Sequence, residues 1–391
     1  MTLRAITASI VNGDPYQAGR DTAAELLERL PERLDLVLVF VSSRHDPALV
    51  LEGMWSRLPP STRLLGCSSF AEINDEGAVA GSVSAMGIHF GDVEAELFSL
   101  SDVTRADSQG AGRALAEKMR AFDPAVVLLL PDGTTVHTPD LVLGMQEVFD
   151  REPIIVGGVS ADSIEYRSTF ELLDREVLRG GVVALALRGP IVAVSAARAG
   201  FQPVGVERTC TRVEDEKIVL EIDGAPAIDL YKQMLGPDIV RRPHIGIEFP
   251  LAVSLGKGDD YMAADLRSHL IRVVRTLDEA TGGLVCMSGM REGARVRIAT
   301  AAKDDLLDAA ILATADAHAR MPHPALALTF SCAGRKLVLG SRYHQEVTGA
   351  FAVLGEEVPK LGFYTFGEIA PVDGVTHFHS ETFTVMLLGS P

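Results

Sequence analysis

Hydroxyl and carboxyl side chains follow a glycine in the segment 66–73, which reads GCSSFAEI. Glycine permits a tight turn, and consecutive backbone N–H groups at such a turn can form an anion-binding nest. Ser68 and Ser69 add hydroxyl donors, and Glu72 adds a carboxylate that can pair with an ammonium group. The segment therefore predicts contacts to an amino acid, and we expect Cys67 to lie among them.

The segment 157–163, GGVSADS, has a similar character. Here Ser160 supplies the hydroxyl group and Asp162 supplies the acid. Paired glycines more often indicate close packing or a positive φ than ligand contact, so a structural role is the alternative. The segment has neither the GxGxxG spacing of dinucleotide-binding turns nor the GxxxxGK[ST] spacing of a phosphate-binding loop.

A third chemically active group occupies 331–335, which reads SCAGR. Arg335 could hold a carboxylate through two parallel hydrogen bonds. Cys332 would be a reactive thiol if a neighbouring cation lowered its pKa, and otherwise it would pack as a small apolar side chain. We expect both residues to contact the ligand. An enzyme that uses Cys332 is an alternative that we do not favour, because no histidine and acid can be assigned to activate the thiol.

Aromatic and polar residues are interleaved in the segment 363–368, FYTFGE. Aromatic rings can wall an apolar pocket while Tyr364, Thr365 and Glu368 fix the orientation of a ligand. Alternation along a buried strand explains the aromatic residues equally well. A carboxylate pair formed by Glu72 and Glu368 is the second enzymatic alternative.

Three histidines are candidates for a metal or haem. His377 and His379 are two residues apart in a predicted strand, so their side chains lie on one face. There they could share a metal ion, or one of them, or His344, could ligate a haem iron. No third metal ligand accompanies them, so we predict no cofactor and keep haem as the alternative.

These segments follow a strand–helix–strand order that recurs along the chain. Apolar, β-rich runs at 34–41 and 125–130 each precede a helix, and each helix leads into a glycine-containing segment. A third, weaker copy begins at 325–330. The pattern predicts an internal duplication of residues 34–100 and 124–198.

The fold class expected from this order is α/β, with mixed sheets and helices packed on them. We expect two domains, residues 1–235 and 236–391, because Gly236-Pro237 interrupts the regular pattern. Each repeated unit leaves an apolar face that its neighbours must cover. The glycine segments could therefore face one shared cleft.

The composition narrows the classes of partner. The chain has 391 residues, of which 47% are hydrophobic, and its 36 Lys+Arg against 53 Asp+Glu give a net charge of −17. This charge argues against nucleic acid or an anionic membrane as a partner. No apolar run approaches the ~20 residues of a membrane span, and the first residues lack the pattern of a signal peptide. Four cysteines without CxxC spacing fit reduced thiols, so we expect a cytoplasmic protein.

Five segments, taken in order, resemble the FIST family: GCSSFAEI (66–73), GGVSADS (157–163), AGFQPVG (199–205), FSCAGR (330–335) and GFYTFGEI (362–369). The resemblance spans residues 30–388 and implies a FIST N-terminal domain followed by a FIST C-terminal domain. It implies intracellular signal sensing through a small ligand, and amino acids are the ligand class usually proposed. One departure lies in HFHSET (377–382), where the family pattern leads us to expect an asparagine near Ser380.

We therefore expect a stand-alone sensory protein that binds a small polar ligand, such as an amino acid, in a cleft. It would pass the signal to a separate protein partner and would not be an enzyme. Because some bacterial members of the family bind haem and respond to nitric oxide, the resemblance also implies a haem-based nitric-oxide sensor as the alternative.

Overall fold

The computed structural model describes residues 3–30, 33–242, 244–254 and 269–391. Its elements repeat the order strand, helix, strand, helix, strand, hairpin, strand three times. We name these repeats unit 1 (residues 4–89), unit 2 (94–188) and unit 3 (192–389). The predicted α/β class with mixed sheets and packed helices is confirmed.

Unit 1 consists of β1 (Arg4–Val11), α1 (Pro15–Arg29), β2 (Leu36–Ser42), α2 (Pro47–Trp55), β3 (Arg63–Ser69), β4 (Glu72–Asn74), β5 (Gly77–Val79) and β6 (Ser82–His89). Unit 2 consists of β7 (Glu94–Leu100), a 3-10 turn (Arg105–Asp107), α3 (Ser108–Arg120), β8 (Val126–Pro131), α4 (Thr138–Gln146), β9 (Ile154–Gly158), β10 (Glu171–Leu173), β11 (Glu176–Leu178) and β12 (Val182–Arg188).

Unit 3 begins with β13 (Val192–Arg198) and is then interrupted by an inserted sheet, which we define as residues 202–300. The insertion contains β14 (Gln202–Glu214), β15 (Ile218–Ile222), β16 (Ala225–Pro226), α5 (Ile228–Leu235), a 3-10 turn (Pro237–Arg241), α6 (Ile245–Glu248), β17 (Leu251–Ser254), β18 (His269–Arg272), β19 (Val274–Asp278), β20 (Gly283–Cys286) and β21 (Arg295–Thr300). Unit 3 then continues with α7 (Lys303–Arg320), β22 (Leu326–Cys332), α8 (Ala333–Leu339), a 3-10 turn (Gly340–Arg342), α9 (Tyr343–Leu354), β23 (Lys360–Thr365), β24 (Glu368–Val372), β25 (Val375–His379) and β26 (Phe383–Gly389).

Each unit builds four strands of one sheet and gives its hairpin to another. The four-strand orders are β1-β6-β2-β3, β7-β12-β8-β9 and β13-β26-β22-β23, and within each the last two strands run parallel. The hairpin β10–β11 of unit 2 extends the sheet of unit 1, β24–β25 of unit 3 extends that of unit 2, and β4–β5 of unit 1 extends that of unit 3. The exchange ties the three units into one three-sheet body.

One apolar core lies between the three sheets. Its members alternate along the strands, as Leu36, Leu38 and Phe40 do along β2, while Val37 and Val39 point outward under helices α1 and α2. The helix pairs α3/α4 and α7/α9 cover the other two sheets in the same way. Strands covered on both faces account for the continuous apolar runs in the sequence.

The glycine segments predicted as turns are parts of strands instead. Gly66, Gly157 and Gly362 lie within β3, β9 and β23. A Cβ atom on any of them would collide with a backbone carbonyl of the parallel neighbour, at Val39, Leu129 or Thr329. Glycine recurs at this position because the neighbouring strand approaches too closely for a side chain.

The expected boundary after residue 235 lies inside the inserted sheet, at the end of α5. Strands from both sides of this position share sheets, because β13 pairs with β26, β4 with β23, and β9 with β24. The two-domain boundary itself stays a prediction. Within the described ranges, no helix is long and apolar enough to cross a bilayer.

Candidate functional site

Glu72, one of the predicted contacts, lies at the junction between the sheets of units 1 and 3. Its carboxyl is fully buried and accepts a hydrogen bond from the Ser69 hydroxyl. The other oxygen accepts from the Ser82 backbone N–H at 2.8 Å and from the Ser82 hydroxyl at 2.9 Å. Both oxygens of Glu72 therefore have partners within the protein.

Glu368 occupies the equivalent place between units 3 and 2. It accepts from the Thr365 hydroxyl at 3.3 Å, and from the N–H and hydroxyl of Thr382 at 3.1 and 2.6 Å. Burial raises the pKa of Glu368 to about 8 and that of Glu72 to about 7, although their hydrogen bonds lower both. The two carboxyls belong to different sheets, and each is hydrogen-bonded at its own junction, an arrangement that does not favour the Glu72/Glu368 pair considered as an alternative.

Glu171 is the third member of this set and was not predicted from the sequence. It is fully buried and accepts a hydrogen bond from the Ser160 hydroxyl at 2.6 Å. Its second oxygen lacks a hydroxyl partner because Gly181 stands where the other units have Ser82 and Thr382. The sequence hides this equivalence, because Glu171 comes eleven positions after Ser160. Glu72 and Glu368 each come only three positions after the residue that supplies the hydroxyl, Ser69 or Thr365.

Two further predicted contacts in β3 have structural surroundings. Cys67 lies in the shared apolar core, and burial raises the pKa of its thiol well above the usual value. The Ser68 hydroxyl accepts the Phe170 N–H at 3.2 Å. Neither side chain lines the cleft described below.

Arg335 and Tyr364 form a buried polar network on the helix side of the unit 3 sheet. Arg335 is fully buried, and its Nε donates to Glu346 Oε1 at 2.7 Å. Its Nη atoms donate to the backbone carbonyls of Ala199, Glu381 and Leu306. The Tyr364 hydroxyl donates to the other Glu346 oxygen at 2.9 Å. The guanidinium already has these partners inside the protein, so its geometry does not favour the predicted ligand clamp.

Asp162 anchors a loop that only unit 2 possesses. Its carboxylate accepts the backbone N–H groups of Glu165 at 2.9 Å, Tyr166 at 3.0 Å and Arg167 at 2.8 Å. Tyr166 adopts a left-handed φ of 53°. Asp162 thus positions the loop that presents Tyr166, a residue the sequence analysis did not select.

Three cavities lie in a cleft between the three-sheet body and the inserted sheet. The central cavity has a volume of about 210 Å³ and has Thr134, Phe366 and Tyr166 on the body side and Arg275 and Met287 on the inserted side. A small cavity of about 20 Å³ shares Tyr166, Phe366 and Met287 with it. A side cavity of about 660 Å³ lies next to α4 and β25.

An aromatic stack forms one wall of the central cavity. The rings of Tyr166 and Phe366 are stacked with their centroids 4.5 Å apart. The Arg275 guanidinium lies over the Tyr166 ring, with its central carbon 5.2 Å from the ring centroid. Among the described residues, Arg275 has no acidic partner.

The central cavity is electropositive although the chain as a whole is acidic. Its lining includes Arg105, Lys217 and Arg275 and, among the residues that the structure describes, no carboxylate. Burial lowers the pKa of Arg105, Asp140 opposes this, and the positive charge of Arg275 lowers it further. An anion bound between the two guanidinium groups would relieve their repulsion.

Of the predicted contacts, Cys332 lies at the cleft, where it lines the small cavity. Burial raises the pKa of its thiol well above the usual range, and Glu368 and Glu381 raise it further. The thiol is therefore protonated near neutral pH, which is unfavourable for the nucleophilic role considered above. Glu381, which also lines this cavity, was not selected from the sequence.

The three histidine candidates are separated by their surroundings. His379 is buried, its Nε2 lies 3.0 Å from the Ala370 carbonyl oxygen, and burial lowers its pKa to about 3. His377 lines the side cavity, with its ring centroid 6.2 Å from that of His379. His344 stacks against Tyr343. In the described part of the chain, no group of three or more His, Cys, Asp or Glu side chains is arranged to hold a metal ion.

The features in which the three units differ lie at the cleft. The inserted sheet is present only in unit 3, and the loop between β9 and β10 is long only in unit 2. Glu381 of unit 3 stands where units 1 and 2 have Gly81 and Gly180. We take this cleft as the candidate functional site.

These observations define the class of the protein: an α/β protein in which three repeated units and an inserted sheet enclose a cleft. Family models assign it more narrowly. The FIST N domain matches residues 35–225 and the FIST C domain matches residues 227–371, so the chain belongs to the FIST family. Domains of this family are sensory domains of signal transduction proteins.

Relatives match along almost the whole chain. An uncharacterized protein of Mycobacterium bovis, Mb0898c, is 28% identical over 393 residues, covering 96% of each chain. MT0656 of Mycobacterium tuberculosis, also uncharacterized, is 27% identical with the same coverage. Among solved structures, a chorismatase aligns over 100% of this chain and 99% of its own, with 10% identity and a TM-score of 0.35. A cyanuric acid hydrolase from A. caulinodans aligns over 99% of both chains, with 10% identity and a TM-score of 0.34.

Proposed function

We propose that this protein is a cytoplasmic sensor that binds a small organic anion, such as an amino acid, in the central cavity. The ligand carboxylate would lie between Arg105 and Arg275. The observation that carries the proposal is the electropositive lining of this cavity in a chain with a net charge of −17. The Tyr166–Phe366 stack would provide apolar contact for the rest of the ligand.

The position of the cavity suggests how binding produces a signal. One wall belongs to the three-sheet body and the other to the inserted sheet, so a ligand that contacts both favours one arrangement of the two parts. The ligand shifts that arrangement only through its different affinity for the two states. A separate protein partner would then recognise the surface that changes.

Titration calorimetry with the twenty common L-amino acids and a set of small dicarboxylic acids tests the proposal. We expect at least one of these anions to bind, and Arg275→Gln to weaken that binding at least tenfold, because a hydrogen bond to a charged group contributes about 1.5–3 kcal/mol. Arg212→Gln is the matched control. Arg212 is an exposed arginine of the inserted sheet that pairs with Glu221 and lies outside the cavity.

Two results would contradict the proposal. One is binding of an anion that Arg275→Gln and Arg105→Gln leave at wild-type affinity. The other is the absence of binding by every compound in the set at millimolar concentration.

A further inference from the structure

Glu381 adopts a backbone conformation for which units 1 and 2 have glycine at the equivalent position. It lies two residues before β26, as Gly180 lies two residues before β12, and Gly81 occupies the equivalent place just before β6. All three have a left-handed φ, 87° for Gly81, 65° for Gly180 and 58° for Glu381. An L-residue is strained there, so unit 3 carries a glutamate at a position that favours glycine.

The Glu381 carboxyl is buried without a hydrogen-bond partner. Its side chain is fully buried, and neither oxygen has a partner among the described residues. Arg335 is nearby, yet it donates to the Glu381 backbone carbonyl and to other acceptors rather than to this carboxyl. A buried carboxyl left in this state is costly, which points to a partner beyond the described residues, such as a bound ligand.

The surroundings make room for this carboxyl beside a cavity. A Cβ atom at Gly334 would collide with Glu381 Oε1, so glycine in the SCAGR segment leaves space for the carboxyl. Glu381 lines the small cavity of about 20 Å³, together with the rings of Tyr166 and Phe366. That volume accommodates one small group, about the size of a water molecule.

A carboxyl beside a cavity of this size suits a compact cation. A carboxylate accepts charge-assisted hydrogen bonds from such a group. A primary ammonium group meets these requirements and matches the available volume. An anionic group would face repulsion from the carboxylate.

We infer that Glu381 is the specificity-determining residue that recognises the ammonium group of the ligand. The inference rests on the proposed function, in which Arg105 and Arg275 hold the carboxylate of the same molecule. Tyr166, Phe366 and Met287 line both cavities, so the two sites are adjacent and one small molecule can contact both.

Calorimetry with matched pairs of compounds tests the inference. Each L-amino acid that binds is compared with the 2-hydroxy acid that carries the same side chain and lacks the ammonium group. We expect wild type to prefer the amino acid at least tenfold. Glu381→Gln should reduce this preference to less than threefold while leaving the affinity for the hydroxy acid within twofold of wild type.

The controls separate failure of the inference from failure of the proposed function. Glu357→Gln changes an exposed glutamate after α9 and should retain the wild-type preference. Arg275→Gln should weaken both members of each pair equally. Glu381→Gly, which restores the residue of the other units, should reproduce the loss of preference if the glutamine variant folds poorly.

Three outcomes overturn the inference. In the first, the hydroxy acid binds as tightly as the amino acid to wild type, and the anion site of the proposed function still stands. In the second, both Glu381 variants keep the preference for the amino acid. In the third, no compound of either kind binds, and the proposed function fails as well.

Discussion

At the junctions between sheets, the three units place the same groups: a hydroxyl side chain at the end of a strand and a buried glutamate that accepts a hydrogen bond from it. At the cleft the units differ, because one contributes the long loop of Tyr166 and another contributes the inserted sheet and Glu381. Glu368 at a junction has three hydrogen bonds to its carboxyl, whereas Glu381 at the cleft has none within the described residues. Shared positions therefore hold the units together, and the positions that differ form the candidate binding surface.

The substitution with the largest expected effect is at Arg335. This residue was expected to bind the ligand, but it lies in the buried polar network of unit 3. Arg335→Met removes the partner of Glu346, and both side chains are fully buried. We expect the free energy of unfolding to fall by about 3–5 kcal/mol, because an uncompensated buried charge remains. Urea denaturation followed by circular dichroism measures this change.

Arg198→Met is the control for the arginine substitution. Arg198 pairs with Asp316, and both side chains are partly exposed, so the expected loss is about 1 kcal/mol or less. Wild-type stability of Arg335→Met combined with lost ligand binding would move Arg335 from the framework to the site.

The sequence was sufficient for the elements that repeat and insufficient for the site. Buried strands and proline-initiated helices have strong local patterns, so the α/β class and the recurring order of elements were predictable. The turn assigned to Gly66 was wrong, because a close parallel strand, which is a tertiary feature, requires glycine there, and at Gly157 the structure has the close packing that was kept as the alternative. Alignment of the copies drew attention to Glu72 and Glu368, which are common to two units and belong to the junctions.

The residues of the cleft had weaker signals. Arg275 and Met287 lie in the inserted sheet, which has no counterpart in the other units. Tyr166 belongs to the loop that separates Ser160 from Glu171. Glu381 did have a detectable signal, since the segment around Ser380 departs from the pattern expected of the family. Differences between the copies are therefore more informative about binding here than their similarities.

A second test concerns the pH dependence of stability that follows from the proton held by Glu368 at the sheet junction. The pKa of Glu368 is about 8 in the folded protein, against 4.5 as its ordinary value. Between these values the folded chain holds a proton that the unfolded chain has released. The stabilisation is therefore complete below pH 4.5 and is lost as the pH rises through 8.

Glu368→Gln resembles the protonated carboxyl and should reduce this pH dependence. We expect the fall in unfolding free energy between pH 5 and pH 9 to be smaller than in wild type by about 2 kcal/mol. Urea denaturation at several pH values measures it, with the exposed Glu357→Gln as the control. Identical pH profiles for wild type and Glu368→Gln would show that the junction carboxyl is ionised in the folded protein.

The substitution with the smallest expected effect is Glu381→Gly, which should stabilise the protein, whereas the same substitution at a junction should destabilise it. Glu381→Gly removes a buried carboxyl that has no hydrogen-bond partner in the described part of the chain, and it places glycine at a left-handed φ of 58°. Glycine also increases the entropy of the unfolded chain, which offsets part of the gain. We expect a net stabilisation of about 1 kcal/mol in the absence of ligand. Glu368→Gly, in contrast, leaves the Thr382 N–H and hydroxyl without their acceptor and should destabilise the protein. If both substitutions destabilise the fold to a similar extent, Glu381 is a framework residue like Glu368, and the contrast between junction and cleft does not hold at this position.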